Sequence, residues 1–254
     1  MRAIWLAGLL LLASIQAGAA EYRPIPGGEF RTALPPTDRP TVSLPPYALR
    51  ALPVTQGEFL AFVRQNPQWR RDRVPALFAA RGYLDDWAGP TELGKIDPQA
   101  PVTRVSWYAA RAYCASEGAT LPSWYQWEFA AAADASRADA RDDPAWRQAM
   151  LDWYASPQHG ALPPVGSDRN VFGIYDLHRL IYEWVEDYNG LFVNSDSRTQ
   201  GVVQNLETCG AAALSLGDRQ NYAILMRIAM LAALDGNDTL GLVGFRCAKP
   251  VDHR

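Results

Sequence analysis

Cysteine and histidine are scarce in this chain, with 3 of each among 254 residues. The histidines, His159, His178 and His253, share no His-x-x-x-His spacing, and no Cys-x-x-Cys occurs. The usual zinc frameworks are thereby removed. Gly-x-Ser-x-Gly and a phosphate-binding glycine loop are also missing, and with them the common serine-hydrolase and kinase chemistries. Lysine and arginine number 24 against 27 acidic residues and form no run. Nucleic acid is not an expected partner, because phosphate binding needs concentrated positive charge. Beyond the N-terminus no window approaches the roughly 18 uninterrupted apolar residues that a membrane helix requires.

The N-terminus itself has the layout of a secretory signal. Met1-Arg2 gives a positive start, "AIWLAGLLLLASIQ" an apolar stretch too short to span a bilayer comfortably, and "AGAA" ending at Ala20 small residues for cleavage. The sequence predicts a signal peptide over 1–20 and one domain over 21–254, periplasmic or secreted, with no membrane attachment after cleavage. Removal of the leader takes away Arg2 and makes the formal net charge of −3 more negative by one. With 9 Trp, 11 Tyr, 19 Gly and 19 Pro, the composition describes a loop-rich fold with many aromatic residues. Cys114, Cys209 and Cys247 make an odd count for an oxidising compartment, so at most two can pair within the chain.

Element signals are clearest in three places. Prolines interrupt "TVSLPPYAL", which reads as a short edge strand. Thr55 precedes "QGEFLAFVRQNP" as a candidate N-cap, with Phe59, Leu60, Phe62 and Val63 on one helical face. In "PVTRVSWYAARAYCASEGATLPSWYQWEFAAAA" we expect a strand over 102–105, a helix capped by Ser106 and a second helix capped by Ser123. A short helix is expected over 144–151, "NVFGIYDL" reads as a turn followed by a strand, and "LMRIAMLAAL" is helical up to the break at Asp235-Gly236.

Taken by their chemistry alone, a few residues stand out. Glu183 and Asp187, four apart, would share a face if helical and hold a cation or work as acid and base. His178 adds a titratable group beside Arg179. The plainer reading of these residues is a polar surface around a buried Trp184. Cys209, in "LETCGAAALS", would be a nucleophile or soft-metal ligand if it is a free thiolate, with the thioethers Met226 and Met230 one helical turn apart. The plainer reading is a buried free cysteine with core methionines, since Met at helical spacing is ordinary packing.

Several blocks in order resemble the formylglycine-generating enzyme family, the sulfatase-modifying factor domain. They are "IPGGEFRTA", "YALRALPVTQGEFLAFV", "PVTRVSWYAARAYCASEGATLPSWYQWEFAAAA", "NVFGIYDLHRLIYEWVEDY" and "GLVGFRCA". The resemblance runs from about Pro26 to Ala248. It implies an α+β single-domain fold related to the C-type lectin-like fold and rich in irregular backbone. It also implies a disulfide between Cys114 of "AYC" and Cys247 of "GFRC".

The departures from the family pattern bear on function. The resemblance places the two copper-holding cysteines at 218 and 223, which carry Asp218 and Ala223 here, and neither residue supplies a thiolate. The calcium segment Gly-Asn-x-Trp-Glu-Trp reads "RLIYEW", with Arg179 and Leu180 in place of Gly and Asn. The chain looks most similar to exported, cysteine-poor members of the pyoverdine-maturation and nitrite-reductase-associated type. The expected role is therefore an accessory factor that matures or modifies a periplasmic protein or peptide. Its groove would be lined by Glu183, Asp187, His178 and Arg227 as catalytic groups, Arg227 orienting an anion, and by Trp184 and Ser215 against substrate. Glu183 and Cys209 are the candidate metal ligands, with copper, iron or calcium as the ion. Two alternatives stand beside this: a metal-dependent oxidase with a rebuilt site, and a non-catalytic module binding peptide or sugar.

Overall fold

In a computed structural model, residues 20–35, 40–156, 160–191 and 222–251 are described, the first two residues of the last stretch by backbone alone. Cys209, Ser215, Asp218, His159 and His253 lie outside them, and Ala223 is known only in its backbone.

Four short strands open the chain: β1 (Tyr22–Ile25), β2 (Gly28–Arg31), β3 (Thr41–Leu44) and β4 (Tyr47–Arg50). The prolines of "TVSLPPYAL" divide that stretch into two strands belonging to different sheets. β3 pairs with β2, and β4 lies between β1 and the C-terminal β7 (Ala248–Pro250), all antiparallel. The chain end is thus stitched to its beginning, with Tyr47 opposite both Ile25 and Pro250. Gly27 at φ +67 makes the turn between β1 and β2, where an added Cβ would meet the Leu44 carbonyl oxygen at 2.4 Å.

Helix α1 (Gln56–Gln65) starts where the sequence indicates. Thr55 accepts from the Glu58 amide while Glu58 reaches back to the Thr55 amide, a reciprocal cap. Phe59, Phe62 and Val63 are buried beneath it. Ser106 caps α2 (Trp107–Ser116), and Ser123 caps α3 (Trp124–Ala131) reciprocally with Gln126. α4 (Pro144–Ala155) runs four residues beyond the expected end, and its N-cap Asp143 accepts from the amides of Ala145 and Trp146. β5 (Tyr182–Glu183) pairs in parallel with β6 (Val243–Gly244), and between them in sequence comes α5 (Tyr222–Ala232).

Two expected strands do not form. Over 102–105 the backbone bonds elsewhere, with Val102 donating to Val54 O and Arg104 to Leu240 O, and Arg104 turns to φ +55. "NVFGIYDL" keeps its turn, but only an isolated bridge between Arg169 and Tyr175 follows. In both places apolar residues are buried, Val102 and Val105 in one and Ile174 and Leu177 in the other, without a neighbouring strand to complete a ladder.

One core joins these pieces. Phe59, Phe62, Tyr113 and Phe245 pack ring to ring, with centroids 5.3–6.0 Å apart. Beside them Cys114 and Cys247 form a fully buried disulfide with 5.5 Å between Cα atoms. It closes a separation of 133 residues, a constraint worth ~5 kcal/mol in the chain-entropy model.

Candidate functional site

Those expected site residues that are described gather where α3, β5, α5 and the turn before β5 converge, while Cys209 and Ser215 lie outside the described residues. Their centre is Trp127 of α3, fully buried. It stacks on Trp124 at 5.6 Å and meets the His178 ring edge-on at 5.7 Å. The Arg227 guanidinium lies 4.2 Å from its ring centroid.

Glu183 and Arg246 form the floor. Arg246 donates through Nε and Nη2 to the two Glu183 oxygens at 2.8 and 2.7 Å, and Trp127 Nε1 adds a third donor at 2.9 Å. Arg246 spends its remaining donors on the carbonyls of Arg50, Ala51 and Tyr175. Neither side chain of the pair is exposed. A cation at Glu183 would meet this guanidinium, so the carboxylate does not fit a calcium site. Nor is Glu183 helical. It sits in β5, so it and Asp187 do not share a helix face as the four-residue spacing suggested. Asp187 instead accepts the Trp124 amide at 2.7 Å and so meets the start of α3. Burial pushes its carboxyl up, against that hydrogen bond. Trp184 is fully buried, with its Nε1 spent on the Val105 carbonyl at 2.9 Å.

His178 is enclosed between Trp127 and Trp146, the latter ring 5.4 Å away. Its Nε2 faces the Ala131 carbonyl at 2.7 Å, which fixes the neutral tautomer with the proton on Nε2. Nδ1 is buried and finds no partner. Burial first, and then the Arg227 charge, push the imidazole down to about 3, so the ring is neutral at any ordinary pH. A hollow of about 70 Å³ lies against His178, Trp146, Met150, Asp168 and Arg179. The backbone flanking His178 is left-handed on both sides, φ +56 at Asp176 and +64 at Arg179. Asp176 holds its turn by accepting from the amides of Gly166, Ser167 and Asp168.

Arg227 projects from α5 into the same cluster and is fully buried. Its Nη2 donates to the carbonyls of Leu177 and Ile181 at 3.3 and 3.1 Å. The guanidinium is held between Trp127 and Tyr182, the latter centroid 5.1 Å away. The fold therefore brings Glu183, His178 and Arg227 together around Trp127 and sets Asp187 at the start of the same helix.

Among the described residues no three His, Cys, Asp or Glu side chains assemble as a metal cage. Two of the chain's three cysteines are joined to each other, and positions 218 and 223 offer no sulfur. Sequence reasoning missed Arg246, Trp127 and Tyr182. The signal for Arg246 was its place in "GFRC", a charge set among residues that must be buried. A second buried carboxylate, Glu128, also went unnoticed. It accepts from Thr32 Oγ1 and the Ala33 amide, both at 2.6 Å, and from Trp124 Nε1 at 2.9 Å.

Comparison with known proteins agrees with this architecture. Residues 13–251 match the family described as sulfatase-modifying factor enzyme 1-like domain. The formylglycine-generating enzyme of Streptomyces coelicolor is 30% identical, and the match covers 90% of this chain and 88% of that protein. The mouse protein named inactive C-alpha-formylglycine-generating enzyme 2 is 26% identical, and the match spans 63% of this chain and 66% of that protein. Among solved structures, PvdO from Pseudomonas aeruginosa superposes with a TM-score of 0.48 at 19% identity, over 90% of this chain and 93% of that one. The chain belongs to the sulfatase-modifying factor, or formylglycine-generating-enzyme-like, family and has that family's fold.

Proposed function

We propose that this chain is an exported member of the family that works without the paired-cysteine copper centre and serves as an accessory factor in maturing or modifying another periplasmic protein. The observation that carries the reading is the Cys114–Cys247 disulfide. It leaves Cys209 as the sole remaining cysteine, whereas holding Cu(I) between two thiolates requires two. A buried disulfide also belongs to an oxidising compartment, in keeping with the secretory layout of residues 1–20. The relative from mouse carries "inactive" in its name, which supports a frame that outlives the reaction.

The test uses the mature chain purified from the periplasm, supplied with copper and oxygen and a cysteine-bearing peptide of sulfatase type. Unchanged peptide mass is expected, together with one free thiol per chain and an N-terminus at Glu21. In-cell crosslinking should then capture a periplasmic protein whose mass differs when the gene is deleted. Conversion of the peptide cysteine to an aldehyde, or retention of the chain in the cytoplasm with residues 1–20 attached, would overturn the reading.

A further inference from the structure

Two arginines are fully buried in the centre of this fold, and they differ in one respect. Every nitrogen of Arg246 is occupied: Nε and Nη2 by Glu183, Nη1 and Nη2 by backbone carbonyls. Arg227 has only Nη2 occupied, by two carbonyls. Its Nε and Nη1 are buried and find no partner. No carboxylate among the described residues forms an ion pair with it. A guanidinium stripped of water and given no counter-charge is costly to hold. The rings of Trp127 and Tyr182 offset part of that cost through their π faces, but a ring face leaves in-plane N–H groups unspent.

On the same indole, His178 leaves Nδ1 unpartnered as a neutral acceptor. The cluster thus offers unspent donors on a permanent cation and an unspent acceptor on an uncharged ring. An anion satisfies the first, and a hydroxyl or ammonium group next to that anion satisfies the second. A metal ion is disfavoured, since it would stand beside an uncompensated positive charge.

We propose that Arg227 anchors a binding site for a small carboxylate, the carboxylate oxygens accepting from Nε and Nη1, with His178 Nδ1 accepting from a hydrogen-bond donor on the ligand's neighbouring carbon. The ligand class is a short hydroxy or amino acid. This inference does not rest on the maturation reading, and its test needs no protein substrate, so either can fail alone.

The mature chain is titrated with sodium glycolate, acetate and chloride at equal ionic strength, and its unfolding midpoint is followed. A saturable rise with glycolate, a smaller one with acetate and none with chloride are expected. Arg227→Met should abolish the rise, and Arg111→Met, which removes an exposed arginine stacked on Trp107, should keep it. His178→Phe should bring glycolate down to the acetate response. If Arg227→Met does not fold, ¹⁵N spectra of the unaltered chain decide, since the Arg227 Nε–H resonance must move saturably with glycolate and not with chloride. A midpoint indifferent to carboxylates, a rise that survives in Arg227→Met, or a crystal grown from glycolate with only water on Nε and Nη1 would overturn the proposal.

Discussion

Arg246 and Glu183 face each other across 63 residues of sequence with two hydrogen bonds of 2.8 and 2.7 Å and no exposure of either side chain. The pair joins β5 to the residues just after β6, and through the Arg50, Ala51 and Tyr175 carbonyls it also holds the end of β4 and the turn before β5. Its role is in the frame of the site, because no face of the carboxylate remains for solvent.

Glu183→Gln keeps the shape and removes the charge, leaving the Arg246 guanidinium buried without a counter-charge and with only its carbonyl partners assured. Removing one member of a buried pair costs about 3–5 kcal/mol. The urea midpoint should drop accordingly at unchanged slope. A loss below about 1 kcal/mol would show that water or another group satisfies Arg246, and that Glu183 is free for chemistry after all.

The disulfide gives an independent measurement of the same frame. Cys247→Ser should cost ~5 kcal/mol by loop entropy, on the order of a whole domain's stability, so the variant is expected to be largely unfolded at 37 °C. Peptide mapping of the unreduced chain should recover Cys114 joined to Cys247 with Cys209 free. A bridge from Cys209 to either would contradict the packing of both cysteines in the core.

Much of this frame was legible in the sequence because its signals are local. Ser106, Ser123 and Thr55 mark helix starts through hydrogen bonds reaching three residues ahead, and such bonds leave a spacing that can be read. The centre was less legible. Glu183 and Asp187 looked like a helical pair only by their spacing, whereas β5 owes its existence to Val243 and Gly244, some sixty residues downstream. Likewise, nothing near Arg246 in the chain announces Glu183, and nothing near Arg227 announces Trp127. Long-range pairing is what short spacing cannot encode.

His178 should make the protein sensitive to acid. The folded ring is pushed down to about 3, chiefly by burial and further by Arg227, while the unfolded ring titrates near 6.5. Unfolding therefore takes up a proton between those values, so the contribution is complete above about pH 6.5 and lost as pH falls toward 3. At the limit it amounts to roughly 4–5 kcal/mol. In His178→Gln the fall in stability between pH 6.5 and 4 should be shallower than in the unaltered chain, measured by urea unfolding at each pH. Parallel curves for the two proteins would place the ring in contact with water. The carboxylates that titrate over the same interval are common to both proteins and cancel in the comparison.

Arg179 tests the backbone beside that histidine. It stands where the family resemblance expects glycine, and it keeps a glycine-like φ of +64. A left-handed conformation costs a residue with a Cβ about 1–2 kcal/mol, whereas glycine pays only ~0.5–1 kcal/mol in unfolded-state entropy. Against this, the Arg179–Asp168 ion pair is more than 40% exposed on both sides and contributes about 0–1 kcal/mol. Arg179→Ala loses the ion pair and keeps the strain, while Arg179→Gly loses the ion pair and relieves the strain. The glycine variant should therefore be the more stable of the two by about 0.5–1 kcal/mol and lie close to the unaltered chain, as read from thermal midpoints. An alanine variant equal to or above the glycine one would mean that the turn at His178 relaxes once the arginine is gone, and that the left-handed backbone is held there by the ion pair with Asp168.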